Sequence, residues 1–405
     1  MAGKPYTGFS RLGEQTMMYD TTPFIQKVNT PAYVMDEQLL IHNLQILKQV
    51  CENTGAKILL AQKAFSMFSV YPLLSQYLDG TTASGLYEAK LGKEEMGDRE
   101  VHVYAPAFKR SDMEQLVTFC DHIVFNSPAQ WQKYKPLVQN SGRDISCGLR
   151  INPEYAEVDT DLYNPCIAGS RLGTTLEQLK DTDLEGINGL HFHTMCEQDA
   201  DVLWRTVQIV DEKFGDILKQ MKWINFGGGH HITREGYQMD LLEKSIRLFQ
   251  EKYGLEVYLE PGEAIALNAG FLVTEVMEIM ENQKKIAILD TSAACHMPDV
   301  LEMPYSPNIL QGKQVCKPYQ NEQDKFPYLL GGPTCLAGDI IGEYGFSNEL
   351  KEGDRITFCD MAIYTMVKNN TFNGMPLPTI YLYTKDGVLR KIREFSYSDF
   401  KMRLS

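Results

Sequence analysis

The stretch KILLAQK, residues 57–63, is a short apolar run, Ile58-Leu59-Leu60-Ala61, that ends on a lysine. It reads as a β-strand, and seven similar runs follow it: GTTAS (80–84), VHVYAP (101–106), HIVFNS (122–127), ISCGLRIN (145–152), INGLHFH (187–193), KWINFGGG (222–229) and EVYLEPG (256–262). Helix-like segments lie between most of them, for example SDMEQLVTF (111–119) and MDLLEKSIRLFQEKYG (239–254). Alternation of strand and helix implies a parallel sheet. Eight such strands in a run of this length fit a (β/α)8 TIM-type barrel better than an open doubly wound sheet.

Outward from this stretch the pattern changes. After about Ala266 the β-rich runs succeed one another without regular helices: FLVTEVMEIM (271–280), KKIAILD (284–290), RITFCDMA (355–362), TIYLYT (379–384) and VLRKIREF (388–395). This predicts a second, mainly antiparallel β domain. The expected division is a barrel over 31–265 and a β domain over 266–405. The latter is joined by a strand from the first 30 or so residues, since Ile25–Val34 is strand-like.

A chain of 405 residues suits two domains. No apolar run is long enough to span a bilayer, and the segment from Met1 to Asp20 lacks the apolar core of a signal peptide, so a cytoplasmic protein with no membrane partner is expected. The nine cysteines are odd in number and scattered, with no Cys-x-x-Cys pair, which argues against a disulfide framework or a zinc ribbon. A net charge of −14 argues against nucleic acid as a partner. It favours small cations over anions, although acidity alone also serves solubility.

The chemistry-bearing residues close the barrel strands, the face on which such barrels build their sites. Lys63 ends the first strand and points to the barrel mouth, where burial would lower its pKa and make it a usable Schiff-base amine. Taken alone it reads better as an ordinary solvated strand-end lysine. Gly227, Gly228 and Gly229 follow the seventh strand and suit a phosphate cradled by backbone N–H groups, or simply a tight turn. Glu260, closing the eighth strand, can pair with a protonated pyridine nitrogen or stand in solvent. His191 and His193 alternate along one strand and so share a face, inward if Leu190 and Phe192 face the helices. They are a conceivable metal pair with His230 and His231, but no acidic ligand signature accompanies them, and no metal is expected.

In combination these motifs are specific: AQKAF (61–65), SGLYEA (84–89), SRLG (170–173), GLHFH (189–193), GGG (227–229), EPGEA (260–264), GPTCLAGD (332–339) and YTMVKNNTFNG (364–374). The chain resembles the decarboxylases of the alanine-racemase-like fold that use pyridoxal 5'-phosphate, such as ornithine and diaminopimelate decarboxylases. The stretches HFHTMCEQ (191–198), EPGEA and LDTSAACHMPDVLEMPY (289–305) are most similar to the carboxynorspermidine/carboxyspermidine decarboxylases. The resemblance covers nearly all of the chain beyond about residue 25.

That resemblance implies a role for each residue. Lys63 would hold the cofactor as a Schiff base, His193 would stack on its ring, and Glu260 would pair with the ring nitrogen. The glycines at 227–229 and the Tyr364 hydroxyl would hold the phosphate. Cys335 would enter the site of a neighbouring subunit and help reprotonate the substrate carbon, which implies a homodimer with shared active sites. Asn373 would complete the site wall or the interface, and Asp339 would lie near the site.

Glu263 stands where the ornithine-type enzymes carry an arginine that pairs with phosphate, and Leu336 where they carry an acidic residue. A carboxylate beside phosphate is repulsive, so Glu263 would turn instead to a cationic, polyamine-type substrate, with Asp299 as its partner. The implied reaction is decarboxylation of carboxynorspermidine or carboxyspermidine, in polyamine synthesis. Competing readings are decarboxylation of a shorter basic amino acid (diaminopimelate, lysine or ornithine) and a non-catalytic regulatory relative.

Overall fold

A computed structural model of the chain describes residues 22–158, 160–314 and 325–405. The chain forms two compact units. One is His42–Ile265, and the other joins the segment ending at Ile41 to Ala266–Ser405.

The first strand, β1 (Ala32–Asp36), belongs to the second unit. The next eight are β2 (Lys57–Ala61), β3 (Gly80–Ala83), β4 (Glu100–Tyr104), β5 (His122–Phe125), β6 (Ser146–Arg150), β7 (Gly189–His191), β8 (Trp223–Asn225) and β9 (Glu256–Leu259). They close a barrel in sequence order, every pair parallel, with β9 returning to β2 through Lys57↔Tyr258 and Ile58↔Leu259. The eight-stranded β/α barrel expected from the alternation is therefore present.

The barrel is packed, not hollow. Leu59, Val124, Trp223 and Tyr258 form a buried cluster within it. Trp223 fits because its neighbours lack side chains: a Cβ on Gly148 or Gly189 would fall 2.3 or 2.0 Å from the indole. The first residues of β2, β4, β5 and β9 contribute to a polar plug. Lys57 Nζ donates to Glu100 Oε1 at 2.6 Å and lies 2.9 Å from Glu256 Oε1. The Tyr258 hydroxyl donates to Glu256 Oε2 at 2.7 Å, and His102 stacks on His122 with ring centres 3.9 Å apart.

The second unit is a nine-stranded, mainly antiparallel sheet. Besides β1 it contains β10 (Gly270–Asn282), β11 (Lys284–Leu289), β12 (Gly312–Gln314), β13 (Phe326–Gly331), β14 (Ile340–Phe346), β15 (Arg355–Cys359), β16 (Thr379–Tyr383) and β17 (Leu389–Arg393). The path runs β12-β14-β13-β11-β10-β1-β16-β17, with β15 also on β10. β10 organises it because both its faces are apolar at the start. Leu272 and Val276 pack with Tyr33, Leu289, Tyr344 and Phe358, while Phe271 and Val273 pack with Phe24, Val34 and Tyr381. β10 is also central in the ladder, pairing with β1, β11 and β15.

Three details differ from the sequence reading. The N-terminal strand is Ala32–Asp36 rather than Ile25–Val34; Thr22–Ile25 is a helical turn instead. This strand pairs antiparallel with β10 and parallel with β16, so the barrel unit begins at His42, not at 31. Residues 1–21, which include all of the segment from Met1 to Asp20, lie outside the described residues. Strands β13 and β14 were not expected, because Pro327 and the glycines 342 and 345 read against a strand. They pair nonetheless, Pro327 opposite Gly345, since tertiary packing of Tyr328, Leu330 and Tyr344 outweighs local propensity.

Candidate active site

Lys63 follows β2 by two residues, at the C-terminal mouth of the barrel, and its side chain opens to solvent. Its Nζ lies 3.3 Å from His193 Nε2. Surrounding protein atoms and the charge of Arg150 hold the ammonium below the ordinary lysine range, partly offset by Glu260, Cys196 and Glu88. A larger fraction of the reactive amine is therefore present near neutrality.

His193 lies two residues past β7. Its Nδ1 is 2.9 Å from the Gly228 N–H and 3.1 Å from the Gly228 carbonyl. The two main-chain groups of one residue thus serve either tautomer. If Lys63 is a neutral amine, His193 donates from Nε2 and accepts from the Gly228 N–H; if Lys63 is an ammonium, His193 accepts at Nε2 and donates to the carbonyl. Burial, Lys63 and Arg150 hold the imidazole well below its usual pKa, so it stays neutral.

Glu260, one residue past β9, receives two neighbours. Asn225 at the end of β8 donates its amide to Oε1 at 2.8 Å, and His191 Nε2 lies 3.3 Å from Oε2. Burial would raise its pKa, but His191, His102 and Asn225 outweigh burial and hold it down at about 2. His191 is fully enclosed and burial lowers its own pKa. The two histidines predicted to share a face do point to one region, each with a different partner.

The triple glycine is required by close packing. Gly227 and Gly229 have φ of 69° and 84°. A Cβ would meet the Phe192 carbonyl at 2.4 Å from Gly227 and the Met195 carbonyl at 2.1 Å from Gly229. The expected use of all three N–H groups on a phosphate is modified by the structure. The Gly227 N–H is given to Asn225 Oδ1 at 2.8 Å and that of Gly228 to His193, so those two bonds organise the site itself.

Sequence reasoning passed over three residues here. Arg150, at the end of β6, is buried, lies 4.6 Å over the Tyr104 ring and donates to the His193 carbonyl at 3.1 Å. A basic residue closing the apolar strand ISCGLRIN was its available signal. Asn225 also ends a strand. Glu197, in the loop after β7, clusters with His231 and Glu263, one ligand atom of each lying within 4.8 Å of the others. Glu263 thus faces His231, at 3.6 Å from Nε2.

In the sheet unit, Asp299 pairs with Lys368, which also reaches Glu302. The prediction left Asp299 open to a cationic ligand; in the fold a lysine already compensates it, a partner 69 residues away that local sequence does not show. Cys335 is exposed, and its backbone N–H donates to Asn373 Oδ1 at 3.2 Å. Asp339 is buried and accepts from the hydroxyls of Thr334 (2.7 Å) and Ser292 (3.0 Å) and from the Ala294 N–H (3.2 Å). It pins the Cys335 loop to the turn after β11. Tyr364 has φ 53° and ψ −44°, a conformation that costs energy for a bulky residue and is concentrated at functional sites.

The donor set in the barrel mouth fits pyridoxal phosphate: an amine of lowered pKa, a flat neutral imidazole beside it, and a buried carboxylate that stays ionised.

Comparison with known proteins agrees. Residues 18–362 match the family described as pyridoxal-dependent decarboxylase, C-terminal sheet domain. The chain is 46% identical to the carboxynorspermidine/carboxyspermidine decarboxylase of Campylobacter jejuni, over 94% of this chain and 100% of that one. It is 41% identical to the carboxyaminopropylagmatine decarboxylase of a Synechocystis species, over 94% of this chain and 97% of the relative. Among solved structures it resembles carboxynorspermidine decarboxylase complexed with norspermidine from Campylobacter jejuni. There the TM-score is 0.87 at 45% identity, covering 93% of this chain and 100% of that one.

Proposed function

Because the chain belongs to the pyridoxal-dependent decarboxylases, we propose that it decarboxylates carboxynorspermidine or carboxyspermidine, releasing norspermidine or spermidine. The observation that carries the reading is the grouping of Lys63, His193 and the ionised Glu260 at one barrel mouth that also holds a pair of carboxylates, Glu197 and Glu263.

Pyridoxal phosphate, when bound, supplies an electron sink for the pair left behind by departing CO₂. The residues provide the rest. Lys63, its amine favoured by desolvation and Arg150, would hold the cofactor. Glu260 would keep the cofactor's ring nitrogen protonated, its charge secured by Asn225 and His191. His193 would lie against the ring, its plane fixed through Gly228. Arg150 locks the His193 carbonyl and so steadies the loop. In the glycine turn 227–229 the N–H of Gly229 would take the phosphate, those of Gly227 and Gly228 being engaged within the site. Cys335 of a second copy would deliver the proton to the substrate carbon, making the enzyme a dimer. Glu263 would contact the cationic chain; Asp299 would do so only if Lys368 moved to another partner.

No helix among the described residues is long and apolar enough to cross a membrane, in keeping with our placing the enzyme in the cytoplasm. The net charge of −14 gives no support to a nucleic-acid partner.

The test is turnover by the cofactor-loaded protein of carboxynorspermidine, carboxyspermidine, carboxyaminopropylagmatine, diaminopimelate, lysine and ornithine, each alone. Turnover of the two carboxylated triamines above the others is expected. Preference for a short amino acid, or for the guanidino substrate, would overturn the substrate assignment and leave the decarboxylase intact. Activity regained on mixing Lys63→Ala with Cys335→Ala tests the shared site, since only a heterodimer would restore one complete centre.

A further inference from the structure

Glu197, His231 and Glu263 converge in the barrel unit, with one oxygen or nitrogen of each within 4.8 Å of the other two. Their backbone is held in place on both sides. The Gln198 N–H donates to the Gly229 carbonyl at 3.0 Å, and the His231 N–H donates to the Gln198 carbonyl at 3.1 Å. The loops carrying Glu197 and His231 are thereby tied together.

His231 is only 6% exposed, yet neither ring nitrogen has a hydrogen bond. Its Nε2 stops 3.6 Å from Glu263 Oε2, beyond hydrogen-bond range. Leaving a buried imidazole unsatisfied is costly, and such a group calls for an explanation. The neighbouring guanidinium, Arg234, is engaged by Asp199 and does not fill the gap.

We propose that Glu197, His231 and Glu263 form an acceptor cradle for the distal primary ammonium group of the substrate. The stoichiometry of donors selects this ligand. A primary ammonium has three N–H donors and no acceptor, and the cradle offers two carboxylates and one imidazole nitrogen. A secondary ammonium has two donors and would leave one acceptor unfilled. A planar guanidinium favours a bidentate carboxylate over three converging points. The cradle also lies within electrostatic reach of the reacting end, because Cys196, adjacent to Glu197, feels the charges of both Lys63 and Glu263. Without ligand, burial opposes a proton on His231 and Arg234 repels it, but Glu263 and Glu197 draw it in; His230, alongside, is held low at about 4 by burial and stays neutral. The arriving ammonium competes with a proton for the same His231 nitrogen, so any proton held there is released on binding.

The inference rests on the triamine reading above, and the experiment separates the two. Cofactor-loaded wild type, Glu197→Gln, Glu263→Gln and His231→Asn are each given carboxynorspermidine and an analogue whose distal amino group is a methyl group. Wild type should prefer the intact substrate by about 100-fold, and each variant should lower that preference about tenfold or more, through KM, with cofactor content unchanged. Calorimetry of norspermidine binding in buffers of different ionisation enthalpy should show proton release in wild type and none in His231→Asn. Equal losses on both substrates, or loss of cofactor, would mark these residues as structural or cofactor-binding and overturn the cradle. Binding of one Zn²⁺ per chain, abolished in His231→Asn without change in substrate preference, would overturn it in favour of a metal site. If wild type turns over short amino acids and neither triamine, the substrate reading falls and the cradle with it.

Discussion

The two ends of the barrel hold the same residue types and use them oppositely. Lys57 begins β2 and Lys63 lies just past its end. At the base, burial works against the charge on Lys57, but hydrogen bonds to Glu100 and Glu256 outweigh it, and its pKa is raised. At the mouth, no carboxylate among the described residues hydrogen-bonds Lys63; its hydrogen-bond neighbour there is a neutral imidazole, and its pKa is lowered. Two histidines stand at each end: His102 stacks on His122 below, while above His191 faces Glu260 and His193 faces Lys63. The base satisfies its charges internally and closes the barrel. The mouth leaves the lysine to desolvation and the charge of Arg150, which together lower its pKa.

The sharpest way to break this contrast is to exchange the fates of the two lysines. Lys63→Ala should lower kcat/KM by on the order of 10⁴-fold and abolish the cofactor's visible absorbance, with little change in Tm. Unchanged absorbance and turnover would refute the role of Lys63. Glu260→Gln should lower kcat by about 100-fold while the protein still folds, because a neutral amide cannot hold the ring proton. Lys57→Met should leave kcat/KM near wild type and cost about 1–3 kcal/mol in denaturant unfolding, since it strands Glu100 and Glu256 in a half-buried plug. A large loss of activity there would mean the base communicates with the mouth.

Two smaller effects refine the picture. Glu100 is held at about 2 against an ordinary 4.5; burial raises it, and His102 and Lys57 outweigh that. Its folded pKa lies below its unfolded one, so the carboxylate adds stability above about pH 4.5 that is lost as pH falls towards 2. Glu100→Gln should therefore flatten the acid limb of a Tm-against-pH curve in that window. Asn225→Ala should lower kcat several-fold by removing one hydrogen bond from Glu260 and the acceptor for the Gly227 N–H.

The elements most legible in the sequence were those defined by neighbours in the chain. KILLAQK, VHVYAP and HIVFNS declare strands by composition, and their alternation with helices implies parallel order and hence a barrel. Position followed as well: a residue that ends a barrel strand lies at the mouth, which is why Lys63, His193 and Glu260 were found together. The strands β13 and β14 were not legible, because glycine and proline argue locally against pairing that distant aromatic residues enforce.

Ion-pair partners were beyond the reach of the sequence reading. Asp299 read as a contact for a cationic substrate, and the fold brings Lys368 to it; Asp339 read only as lying near the site, and the fold gathers Ser292, Ala294 and Thr334 around it. Glu197 and His231 bear no motif that joins them across 34 positions. The sequence by itself determined the barrel, the strand ends and the set of reactive side chains, because periodicity and strand polarity are local properties of the chain. The tertiary structure alone decided which charges are compensated and which are left open, because a charge's partner is chosen by proximity in space, and proximity is settled only when the strands close.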